Sequence, residues 1–179
     1  MKTNIQNITF SALMTAILCI VGPVVLPIGP VPMSFANLVI YLTIILLDKK
    51  RATSCVAVYL LLGLVGIPVF AGFTGGVGKL FGPTGGYLVG YLVLTWVSGE
   101  MIKRRKNKGN MLYLVVALTI GTMLMYVLGT LWLMYQSNLD FQVALGISVF
   151  PFLLFDILKI VVAVLIGNAI KIRIKHILF

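Results

Sequence analysis

Residues 111–135 read MLYLVVALTIGTMLMYVLGTLWLMY, with no charged side chain from Met111 to Tyr135. Crossing the roughly 30 Å hydrocarbon core of a bilayer takes about 20 helical residues, so this stretch is long enough to span alone. The rest of the chain has the same character: of 179 residues 60% are hydrophobic and 10% charged, with a mean hydropathy of +1.11. Soluble domains carry about 25% charged residues, and a water-soluble fold of this composition would lack polar surface.

Working outward from that stretch, the apolar runs predict helices over Ile8–Leu26, Met33–Leu47, Ala52–Gly66, Thr84–Ile102, Met111–Tyr135 and Ala144–Ile170. The fold expected is an all-α integral membrane protein, a compact bundle of six transmembrane helices. No Ser/Pro/Gln-rich linker or charged block divides it, so residues 1–179 read as a single transmembrane domain. Met1 to Asn7 lead into the first apolar run without a small-x-small cleavage site, and that run reads as a span rather than a removable signal.

The net charge of +10 would suit nucleic acid only if a soluble face carried it, whereas here the basic residues interrupt apolar runs. With the N-terminus inside, the inner segments hold Lys2; Lys49, Lys50 and Arg51; Lys103, Arg104, Arg105, Lys106 and Lys108; and Lys171, Arg173 and Lys175. The outer connections hold Lys79, and Lys159 falls within the last span. This asymmetry predicts cytoplasmic N and C termini and an even helix count through the positive-inside rule. Trp132 and Tyr135, at the outer end of the fifth span, suit an interfacial aromatic anchor. Cys19 and Cys55 lie in apolar segments and His176 stands near the end, which leaves no disulfide framework and no metal-ligand cluster to expect.

Between Gly63 and Gly90 lie ten of the 18 glycines, in GLVGIPVFAGFTGGVGKLFGPTGGYLVG. A flexible outer loop is one reading. Against it, Val69, Phe70, Phe73, Leu80, Phe81 and Tyr87 are interleaved with the glycines, a mixture able to pack back into the bundle. Irregular backbone at membrane depth is tolerated only where protein or a cavity surrounds it. The segment is therefore expected to fold over a binding cavity, with bare backbone close to a ligand. Thr84 can cap the fourth helix, the free N–H groups of Gly85 and Gly86 can meet a polar ligand group, and Tyr87 adds a flat apolar face and a hydroxyl. A nucleotide cradle is excluded: Gly78-Lys79 is followed by Leu80, and Phe73 stands where the phosphate-loop pattern needs glycine. The chain is expected to carry no ATPase of its own.

Asp156 and Lys159 are charges well inside a predicted span, between PFLLF and IVVAVLIG. Each costs roughly 2.5–3.5 kcal/mol at mid-membrane on insertion scales. Spaced i and i+3 they share one helical face, either to hold the helix to its neighbours or to bind a ligand. Asp156 offers acceptors to N–H donors, while Lys159 could hold a carboxylate or keep Asp156 ionised; together they suit a small zwitterionic or amide-bearing acid. Lys79 at the outer mouth could attract an anionic ligand, and Asn37 is a candidate polar cavity residue. In the first helix Ala12 and Ala16 make a small-xxx-small pair that allows another helix to approach. No second carboxylate, serine–histidine pair or metal cluster accompanies Asp156, so an enzyme is not expected.

Taken together these motifs resemble the BioY family, the biotin-specific substrate-binding (S) components of energy-coupling factor (ECF) vitamin transporters. The resemblance covers nearly the whole chain and is carried by Gly29-Pro30-Val31-Pro32, YLLLGLVGIPVFAGFTGG from Tyr59 to Gly76, GPTGGYLVG from Gly82 to Gly90, and Asp156-x-x-Lys159. It implies a protein of the bacterial cell membrane that captures biotin from outside and delivers it inward with a transmembrane coupling (T) subunit and two cytoplasmic ATPases, with biotin as cargo and no cofactor. It places Asp156 and Lys159 in the biotin site beside the loop before the fourth helix, and the residue chemistry read above makes Thr84, Gly85, Gly86, Phe73, Tyr87 and Asn37 the further candidates for that site. Ala12 and Ala16 would face the coupling subunit. A stand-alone biotin facilitator and an S component for another small vitamin are the nearest alternatives. The chain departs from the pattern after Pro32, where many relatives carry Thr-Leu-Gln and Asn37 could replace the glutamine. At Lys79 the pattern leads one to expect an apolar residue.

Overall fold

The computed structural model describes residues 2–26, 33–104 and 110–178. Residues 29–32, with the Gly-Pro-Val-Pro motif, and Arg105, Lys106 and Lys108 lie outside the described residues, as do the side chains of Lys2, Lys175 and His176. Among the described residues the chain forms eight helices and one two-stranded sheet: α1 (Lys2–Val21), β1 (Val25–Leu26), β2 (Met33–Ser34), α2 (Ala36–Leu46), α3 (Lys49–Leu64), α4 (Val77–Leu80), α5 (Gly85–Arg104), α6 (Met111–Ser137), α7 (Phe141–Ser148) and α8 (Phe150–Leu178).

The first and third helices start earlier than expected, at Lys2 and Lys49, and three further boundaries move for a local reason. The first helix stops at Val21 rather than Leu26, because Pro23 cannot continue the hydrogen-bond ladder and Gly22 is packed tightly. A Cβ on Gly22 would lie 2.9 Å from the Tyr59 hydroxyl oxygen. Val25 and Leu26 then pair antiparallel with Ser34 and Met33, so the expected start of the second helix is a strand. Ser34 closes the junction by donating its hydroxyl to the Gly22 carbonyl at 2.7 Å and accepting the Ala36 N–H at 2.9 Å. The last predicted span, Ala144–Ile170, is two helices broken at Val149 (φ −119°, ψ −56°). Pro151 falls in the first turn of α8, where its missing N–H removes no intrahelical bond.

At the centre stands α2, buried on nearly every side, with Ile40, Tyr41, Thr43 and Ile45 all at most 1% exposed. It packs along α8 and also touches α1, α3, α5 and α6; α5 and α6 form the tightest pair. Small residues permit that approach: a Cβ on Gly129 of α6 would lie 2.3 Å from the Tyr87 ring of α5. The outer surface is apolar, as on α8, where Leu154, Ile157, Leu158, Val161 and Leu165 face outward while Asp156, Lys159, Ile160, Ala163 and Val164 are buried. Among the described residues α6 and a 24-residue part of α8 (Phe150–Arg173) are long and apolar enough to cross a membrane.

Basic side chains gather at one end. Arg51 at the start of α3 binds Asp48 and reaches Asn7 on α1. Lys49 pairs with Glu100 near the end of α5 at 2.8 Å and lies over the Trp96 ring, and Lys171 on α8 donates to the Ile45 carbonyl at the end of α2 at 3.1 Å. The opposite end holds the sheet, the glycine-rich segment and α4.

Candidate functional site

The glycine-rich segment folds back into the bundle, as its mixed composition predicts. Phe70 is fully buried, edge-on to Tyr59 with ring centroids 5.6 Å apart, and it can sit there because Gly63 presents no side chain: a Cβ would lie 2.0 Å from the ring. Gly72 N–H binds the Pro23 carbonyl at 2.9 Å, which ties the segment to the end of α1. Trp132, expected as an interfacial anchor, is half-buried and donates its indole N–H to the Gly82 carbonyl at 2.9 Å; Tyr135 is 80% exposed.

Beneath this cover lies a cavity lined by Ser34 and Asn37 from one side, Phe70, Lys79 and Thr84 from the cover, Tyr87 and Tyr91 from α5, Tyr126 from α6, and Phe152, Asp156 and Lys159 from α8. Its volume of about 90 Å³ leaves room for several waters or a small ligand.

At the floor, the two charges that sequence singles out meet. Lys159 Nζ is 3.0 Å from Asp156 Oδ1, as their i, i+3 spacing predicts, and both side chains are more than 90% buried. The other carboxylate oxygen, Oδ2, accepts from Asn37 Nδ2 at 3.0 Å and from the Tyr126 hydroxyl at 2.6 Å. Lys159 also donates to the Ser34 carbonyl at 2.9 Å, a backbone group that the sheet aims inward. A carboxylate has about four lone-pair sites and an ammonium three N–H donors. Three protein bonds to Asp156 and two from Lys159 leave one acceptor and one donor side by side.

The structure brings Asn37, Thr84, Tyr87, Asp156 and Lys159 to one cavity. It does not bring Phe73, Gly85 or Gly86 there. Phe73 has a left-handed backbone (φ 56°) between Gly72 and Thr74, and its ring points outward, 68% exposed. Gly85 and Gly86 are buried against neighbouring segments: a Cβ on Gly85 would lie 1.6 Å from the Leu80 carbonyl oxygen, and one on Gly86 would lie 2.3 Å from the Trp132 Cβ. Their lack of side chains serves packing of α4 and α6 onto α5, away from the cavity wall. Thr84 holds the capping position, its carbonyl accepting from Tyr87 N–H at 3.1 Å, although its side chain makes no capping bond. Tyr87 turns its hydroxyl to Thr130 at 3.2 Å. Ala12 and Ala16 are exposed along a groove between α1 and α3 whose walls include Ser11, Thr15, Cys55 and Val58.

Sequence reasoning missed Tyr126, Tyr91, Phe152 and the Ser34 carbonyl. An aromatic in an apolar span carries no positional signal, and the carbonyl is aimed by a strand pair that periodicity read as helix.

The model of the BioY family matches residues 1–176. The chain is 34% identical over 175 residues to the biotin transporter BioY2 of Lactococcus lactis subsp. cremoris, covering 98% of this chain and 95% of that one. It is 36% identical over 161 residues to the biotin transporter BioY of Thermotoga maritima, with 90% and 93% covered. Its fold matches the crystal structure of the S-component for biotin from an ECF-type ABC transporter with a TM-score of 0.86 at 29% identity, covering 94% of this chain and 92% of that one. On the strength of a match along almost its entire length, the chain belongs to the BioY family.

Proposed function

We propose that this protein is the biotin-binding membrane subunit, the S component, of an ATP-driven vitamin uptake transporter. The observation that carries this reading is the free acceptor and free donor left side by side on Asp156 and Lys159. A cyclic urea has an N–H next to a carbonyl and matches that pair: its N–H donates to Asp156 Oδ1 while its carbonyl accepts from Lys159. Phe70, Tyr91 and Phe152 supply apolar surface for the thioether ring, with Asn37 and Tyr126 holding the carboxylate from behind. The names of the relatives are those of transporters, which favours a carrier over an enzyme.

In this reading residues 1–179 form one membrane domain with six spans in the plasma membrane, of the bacterial inner membrane type. Both termini are cytoplasmic, and the cavity opens outward at the end opposite the basic cluster of Lys49, Arg51 and Lys171. The α1–α3 groove at Ala12 and Ala16 receives a transmembrane coupling (T) subunit, and two ATPases complete the assembly. Biotin is cargo, and no cofactor is required.

Calorimetric titration of the purified protein with biotin tests the reading. Saturable binding is expected, and Asp156→Asn should weaken it by about 1–3 kcal/mol in the fraction that folds. An unchanged affinity in that variant removes the aspartate from the site. For the partner face, Ala12→Trp should spare biotin binding and impair assembly with the coupling subunit, measured by co-purification; intact assembly points to another face.

A further inference from the structure

The cavity wall carries two lysines, and they differ in what they already hold. Lys159 is committed to Asp156 and the Ser34 carbonyl. Lys79 is half-buried on α4 and also on the wall, and its ammonium makes no ion pair or hydrogen bond among the described residues. The chain has four acidic residues. Asp48 is paired with Arg51, Glu100 with Lys49 and Arg104, and Asp156 with Lys159, while Asp140 precedes α7 and makes no ion pair with Lys79. The Thr84 hydroxyl, on the same wall, is likewise unengaged among the described residues.

We propose that Lys79, assisted by the Thr84 hydroxyl, receives the carboxylate of the ligand whose urea ring rests on Asp156 and Lys159. This rests on the biotin reading above and adds the residue that selects for the free acid. Charge argues for the assignment. At the floor an arriving carboxylate would have to compete with Asp156 for Lys159 and would place two anions close together. At the rim it meets a cation with no counter-ion, in a partly dehydrated setting where a charge-assisted bond is stronger than in water. An acid with a polar head and a flexible tail thereby binds in one direction, head down.

The test compares biotin with its primary amide, which differs in the charge of the tail, by calorimetry on the full purified chain. Wild-type protein should bind the acid roughly 10–100-fold more tightly than the amide, the range a hydrogen bond between charged groups supplies. In Lys79→Met the two affinities should converge, mainly through loss of acid binding, and Lys79→Arg should keep the preference. Equal affinities in the wild-type protein overturn the assignment while leaving the biotin reading intact. A preference for the acid that survives in Lys79→Met hands the carboxylate to another group and also overturns it. Wild-type protein that binds neither compound ends the biotin reading and this assignment together.

Discussion

The floor and the rim of the cavity are built on opposite principles. At the floor every charged atom is held by groups on regular elements: Asp156 and Lys159 one turn apart on α8, Asn37 in the first turn of α2, Tyr126 midway along α6. At the rim, Lys79 sits on a four-residue helix and Thr84 just before α5, in a segment whose backbone turns through left-handed conformations at Gly66, Gly72, Phe73 and Gly76. The floor is nearly saturated before any ligand arrives, and the rim is not. Buried charge is tolerated only with partners, so the floor must be complete to keep the bundle folded. The rim is reached by water and can leave donors open for a ligand. Folding and recognition thus draw on the same cavity at different depths.

The largest effect is expected where the floor is broken. Lys159→Met leaves Asp156 buried with two neutral donors and no cation, and removing one partner of a buried pair costs roughly 3–5 kcal/mol. We predict a loss of that order in unfolding of the detergent-solubilised protein. The double variant Asp156→Leu/Lys159→Met should recover most of it while binding no biotin. A single variant as stable as the wild type would show that the pair is no structural unit, and the contrast between floor and rim would fail.

A middle-sized effect sharpens the floor itself. Tyr126→Phe deletes the 2.6 Å bond to Asp156 Oδ2 without changing the charges. Hydrogen bonds to charged groups are worth about 1.5–3 kcal/mol, part of which Asn37 and Lys159 retain by holding the carboxylate. Biotin affinity should fall by about 1–2 kcal/mol in a calorimetric titration, less than for a broken ion pair. Unchanged affinity would mean that Oδ1 keeps its place without help from α6.

How much of this was legible in the sequence also divides by depth. Asp156 and Lys159 announce themselves because a charge inside an apolar run is costly, and their spacing fixes their mutual geometry. Asn37 is visible more faintly, as a neutral polar side chain in an apolar run. Tyr126, 30 residues from its partner in sequence, is one aromatic among many in apolar spans, and only tertiary packing selects it. The Ser34 carbonyl depends on a two-residue strand pair too short for any alternation to reveal. Six apolar runs were readable, since composition decides them, but the break at Val149 turned on one proline whose position in the first turn is compatible with a helix start as well as an interruption. The rim was the hardest region. Its glycines mark irregular backbone without saying which faces the cavity, and Gly85, Gly86 and Phe73 illustrate the error.

Phe73 yields the smallest expected effect, and for that reason tests the rim most cleanly. Aromatic residues in a glycine-rich cover invite the reading that they close over the ligand, yet Phe70 and Phe73 point opposite ways. Phe70 needs Gly63 bare beneath it and is fully buried, whereas Phe73 occupies a left-handed turn position that directs its ring outward. Phe73→Ser removes an exposed ring from a residue that lines no part of the cavity, and exposed substitutions stay within about 0.5 kcal/mol. Biotin affinity should therefore remain within about threefold of wild type. A loss of tenfold or more would require the turn to invert when ligand binds, bringing Phe73 down onto the rings, and the rim would then be a moving cover rather than the fixed wall seen here.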